Sequence, residues 1–117
     1  MTTVRSERVE LASIAAEAAA AVPGVAAAAR DSLRRWETSD RDMALEGVVC
    51  LPLAGGGYVV ELHLVAELVP LPALAETIRD SIDRRISKTA LGEALRRIDV
   101  TFEDVTDERL PGRGSAG

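Results

Sequence analysis

The chain has 117 residues, a length that suits one compact domain. Its net charge of -5 disfavours nucleic acid and anionic membrane surfaces as direct partners, because both draw their affinity from Lys and Arg. With one Trp, one Tyr and one Phe, the core has to come from Ala, Val, Leu and Ile. The lone cysteine, Cys50, cannot close an intramolecular disulfide, and its apolar neighbours make it a buried structural thiol, which fits a reducing compartment. No apolar run approaches the ~20 residues that cross a bilayer. Arg5, Glu7, Arg8 and Glu10 stand where a signal peptide would be basic and then apolar, so the chain reads as cytoplasmic with no direct membrane insertion.

Leu11, Ile14, Ala15, Ala18 and Val22 recur at helical spacing, which predicts an amphipathic helix from about Ser6 to Ala21. Its contact face is mostly alanine, so it buries little area per residue. Pro23 and Gly24 end it. The good helix formers of Val25 to Trp36 predict a second short helix anchored by Trp36, followed by a charged loop over Glu37 to Asp42.

Leu45 to Leu53 reads as a first strand ending at Pro52. Gly55, Gly56 and Gly57 then fit a hairpin loop. A phosphate-binding loop would be followed by a helix, whereas Tyr58 opens a strand. From Tyr58 to Val69 the pattern has period two, with Tyr58, Val60, Leu62, Leu64, Ala66 and Leu68 on the core face. Pro70 and Pro72 bracket the start of a long helix, Leu71 to Thr89, with its apolar stripe on Leu71, Leu74, Ala75, Ile78, Ile82 and Ile86. Ile98 to Val105 is a third strand, and the residues from 106 to 117 form a polar, flexible tail beyond a single domain over 1–105.

The expected architecture is α+β: an N-terminal helix or helices, a β-hairpin, a long amphipathic helix and a third strand. This makes a three-stranded sheet with the long helix on one face. A right-handed crossover sets the third strand parallel to the second and beside the first, in spatial order 2-1-3. The N-terminal helices cover the other face or extend the same helical layer.

No catalytic constellation is visible. His63 is the sole histidine, and Glu61 and Glu67 share its side of the strand, but they spread over ~20 Å, too far for one metal ion. The sequence therefore implies no cofactor and no metal, and a nucleophile with an adjacent base is missing. What remains is a solvated or partner-covered face carrying Glu61, His63, Glu67, Asp99, Thr101 and Glu103 as a possible interaction face. Arg79, Arg84, Arg85, Lys88, Arg96 and Arg97 concentrate positive charge on the long helix and its exit, and Asp99, Glu103, Asp104, Asp107 and Glu108 follow. Such runs are usually solvated faces. The functional alternatives are head-to-tail self-association, basic end to acidic end, or a nucleic-acid-binding module that uses the arginines of the long helix.

The sequence also resembles the alkaline shock protein family, the envelope stress response proteins of Gram-positive bacteria, over roughly Leu11 to Val105. The resemblance rests on Ile14, Ala15 and Ala16 leading to Val22, Pro23, Gly24 and Val25, on Gly47 and Val48, and on the run Val59 to Val65. More specific are Pro70 with Leu74, Ala75, Ile78 and Ile82, and the closing run Ile98 to Val105. Leu68 and Val69 stand where the family usually has glycine, and Asp99 replaces its common asparagine. The resemblance implies a small non-enzymatic cytoplasmic protein that oligomerises and is recruited by a membrane-protein partner in support of the cell envelope.

Overall fold

The structure is a computed structural model that describes residues 6–40 and 43–107. The first helix, α1 (Glu7–Ala20), matches the expected amphipathic segment. Ser6 caps it, its Oγ accepting from the Val9 amide at 3.3 Å, and Glu7 and Glu10 lie in the first turn, where they complement the positive end of the helix dipole. Its buried face is Val9, Leu11, Ala12, Ala15, Ala18 and Ala19. The short alanine side chains bring the helix axis close to its neighbours.

The second expected helix is absent. Val25–Ala28 instead forms strand β1, antiparallel to Leu64–Ala66, and turns carry the chain from there to Trp36. Helix propensity loses here because Gly24, at φ 104°, swings the chain so that Val25 and Ala29 are buried against the sheet. Glu37–Ser39, expected as loop, forms β2, which pairs with β3 (Ala44–Glu46) in a separate two-stranded ribbon; Arg41 and Asp42 of that expected loop lie outside the described residues. The expected strand Leu45 to Leu53 is thus two strands, β3 and β4 (Val48–Pro52), broken at Gly47, where φ is 78°.

The main sheet is built around β5 (Tyr58–Glu67). The glycine loop closes the β4–β5 hairpin as expected, with Gly56 and Gly57 at φ 97° and 83°. β6 (Leu95–Thr106) lies parallel to β5 along its whole length. The other edge of β5 is shared: β4 takes Tyr58–Leu62 and β1 takes Leu64–Ala66. At the handover His63 donates its amide to Gly47 O at 2.8 Å and accepts at its carbonyl from Ala29 N at 2.8 Å. The expected order 2-1-3 is therefore wrong. The third strand sits directly beside the second, because the first strand and β1 already occupy the opposite edge. The main sheet has four strands, not three.

The long helix α2 runs from Leu71 to Ile86, short of the expected Thr89. Its last carbonyls are taken by turns: Ser87 N bonds Asp83 O, and Thr89 donates to Ile86 O through both its amide and its Oγ1. Leu74, Ile78, Ile82 and Ile86 are buried, and Arg84 and Arg85 in the last turn complement the dipole. Both helices contribute to one core with Val48, Val60, Leu62 and Leu64, so α1 extends the layer of α2 on the same face of the sheet.

The free edge of β4 is closed by one side chain. Thr38 of β2, only 1% exposed, donates its Oγ1 to Val48 O at 2.8 Å and accepts from Cys50 N at 3.0 Å. Thr38→Val keeps the shape and strands both backbone groups, so it should lower stability by about 1 to 3 kcal/mol in urea titration. Thr38→Ser should cost markedly less; equal losses would mean that packing, not the hydroxyl, matters at this edge.

Candidate functional site

The alternation of β5 sends Val59, Glu61, His63, Val65 and Glu67 to the side away from the helices, and the parallel register sets Arg97, Asp99 and Thr101 of β6 beside Val59, Glu61 and His63. All six residues of the expected interaction face therefore lie along β5 and β6, but they do not form one cluster. Glu61, His63 and Glu103 come together. His63 Nδ1 lies 2.8 Å from Glu103 Oε2, and Nε2 lies 3.6 Å from Glu61 Oε1. Asp99 turns to Arg97 of its own strand, Nε to Oδ1 at 3.0 Å. Thr101 is exposed next to His63, and Glu67 stands at the far end of β5, opposite Thr106.

A bulge places Glu103 within reach of the imidazole. Leu64 pairs with Phe102 and Val65 with Asp104, so Glu103 is the extra residue of β6 at this point. The second partner of His63 comes from a segment that sequence reasoning assigned to a helix. Trp36 stacks on the imidazole with ring centroids 4.8 Å apart and planes 4° from parallel. The Trp36 carbonyl accepts from Gly47 N at 2.7 Å, which fixes the indole over the junction where β1 hands over to β4. Next to it Arg35 Nε bonds Asp31 Oδ2 at 2.7 Å and feels the charge of Glu103. The Arg35 guanidinium and the Arg35 amide together hold the Asp31 carboxyl down at about 2. One sequence signal could have pointed here: a single tryptophan in an otherwise alanine- and arginine-rich stretch needs a large apolar or aromatic surface to cover.

The side chain of His63 is 13% exposed, and its Nε2 has no hydrogen-bond partner among the described residues. One ring face is covered by indole and the ring edges face carboxylates. Among the described residues, no group of three or more His, Cys, Asp or Glu is arranged to hold a metal ion, and no helix is long and apolar enough to cross a membrane. His63→Ala should shift the emission of Trp36, the only tryptophan, to longer wavelength as the indole gains water. An unchanged spectrum would show that indole and imidazole do not meet.

Cys50 is 3% exposed on the core side of β4, and burial pushes its thiol from 9.0 up to about 11. A folded-state value above the unfolded one stabilises the fold fully below the unfolded value and loses that contribution as pH rises through about 11. Stability should therefore decline from pH 9 upward, and iodoacetamide at pH 8 should modify native protein far more slowly than urea-unfolded protein. Comparable alkylation rates would contradict the buried thiol.

The basic residues that suggested a nucleic-acid surface have local partners in part. Arg79 Nε donates to Ile98 O at 3.2 Å and Arg97 is paired with Asp99. No protein-family profile, curated protein or solved structure matches this chain.

Proposed function

We propose that this chain is a non-enzymatic, oligomerising interaction protein of the envelope stress type, working in the cytoplasm through a membrane-protein partner. The family resemblance of its sequence suggests the cellular role. The observation that carries the non-enzymatic part is the state of His63, the one imidazole in the chain: Glu103 holds one nitrogen, the other is shielded, and Trp36 covers the ring. A general base needs an accessible nitrogen within hydrogen-bond reach of a substrate proton, and this packing leaves no such approach. In its place the sheet offers a polar strip, Glu61 on β5 with Asp99, Thr101 and Glu103 on the long edge strand β6.

Light scattering across concentration and salt tests the self-association: a growing mass with concentration supports it, and a strict monomer at high concentration and low salt refutes it. Co-purification from the native membrane fraction, followed by reconstitution with the purified candidate, tests the membrane partner. Recovery of only soluble nucleic-acid or metabolic proteins would remove the envelope reading.

A further inference from the structure

We infer that β6 is a self-complementary edge, and that two copies of this chain pair β6 to β6 antiparallel about a two-fold axis at Val100. The inference rests on the self-association reading above and names its surface. Edges are where sheets recruit further strands, because their outward amides and carbonyls lack ladder partners. Here β4 is closed on its outer side by Thr38. Among the described residues, β6 pairs with β5 alone.

Side-chain parity limits the pairing registers. Ile98, Val100 and Phe102 face the helices, while Arg97, Asp99 and Thr101 face the other way. Opposed residues in an antiparallel pair share a face, so a two-fold has to pass through a residue, not between residues. An axis at Asp99 opposes two carboxylates directly. An axis at Thr101 sets Asp99 against the second copy's Glu103, again like charges. The axis at Val100 pairs most of β6 and is complementary: Ile98 meets Phe102, Val100 meets its own copy, and Arg97 meets Glu103, whereas an axis at Ile98, which sets Arg97 against Asp99, leaves the acidic end of β6 unpaired.

Charges and bulges on an edge strand commonly serve to prevent pairing, and β6 has both. Edge protection needs charge, but it does not need the signs sorted. In β6 they are sorted, basic at the start and acidic at the end, which an antiparallel two-fold turns from repulsion into attraction at both ends. Such an isologous contact closes on itself and gives a dimer.

Sedimentation equilibrium at low salt on the full chain tests this with Arg97→Glu, Glu103→Lys and the double variant. Each single change should raise the dimer dissociation constant about tenfold or more, and the double change, which restores opposite charges across the axis, should bring it back. Amides of the 96–104 segment should also become more protected from hydrogen exchange as concentration rises. If the wild-type chain dimerises but neither single variant weakens it and 96–104 protection is independent of concentration, the β6 surface is wrong while self-association stands. If the wild-type chain is strictly monomeric, both fall.

Discussion

Gly47→Ala is expected to destabilise the fold by about 2 to 6 kcal/mol, adding backbone strain at a positive φ to overpacking. The residue sits at φ 78°, and a Cβ there would meet Ala28 Cβ at 2.7 Å and the His63 carbonyl at 2.9 Å. Neither contact can yield cheaply. Ala28 belongs to β1, and the His63 carbonyl already accepts from Ala29 N. Gly56→Ala is the matching control: its φ of 97° carries strain, but nothing lies within 4 Å of the added methyl, so the cost should stay on the order of 1 kcal/mol. Urea titration of both variants, with slopes unchanged from wild type, separates the clash from the strain. Equal losses would show that β1 and β4 do not converge at Gly47.

Leu62→Ala should cost about 2 to 5 kcal/mol, the range for emptying a buried leucine site. Leu62 is 1% exposed, flanked by Val48 on β4 and Val100 on β6. Few large side chains are available nearby to collapse into the space, since α1 meets the core largely through alanine. Glu61→Ala, one residue away and on the opposite face, should cost far less. If the two variants lose similar stability, the register of β5 is shifted by one residue.

The parts of this fold that were legible in the sequence are those whose two faces differ sharply. β5 alternates valine, leucine and alanine with Glu61, His63 and Glu67, and only one register keeps the charges out of the core. α2 spaces Ile78, Ile82 and Ile86 a turn apart amid charged residues. β1 was illegible for the opposite reason. Three of its four residues are alanines, which favour helix on their own, and only the pairing with Leu64–Ala66 makes them a strand. Gly47 was equally silent, because a glycine inside a strand pattern gives no sign of whether the chain bulges, bends or starts again.

The same division holds for the candidate face. Period two placed Glu61, His63, Asp99 and Thr101 on one side, and the structure agrees. That Glu103 rather than Glu67 reaches His63 depends on a bulge and on parallel pairing across a helical crossover. That Trp36 covers the ring depends on the path of residues 29–36, which neither periodicity nor propensity describes.

Every ladder of the main sheet has β5 as one of its two members. During synthesis, then, β1 and β4 leave the ribosome with no strand to join, and among the described residues the small β2–β3 ribbon is the one sheet that can form without β5. Assembly has to wait for Tyr58–Glu67, and the parallel partner β6 follows only after the whole of α2 has been made. Such late, non-local closure favours slow and concerted folding, in which the first half of the chain spends longest exposed to chaperones and proteases.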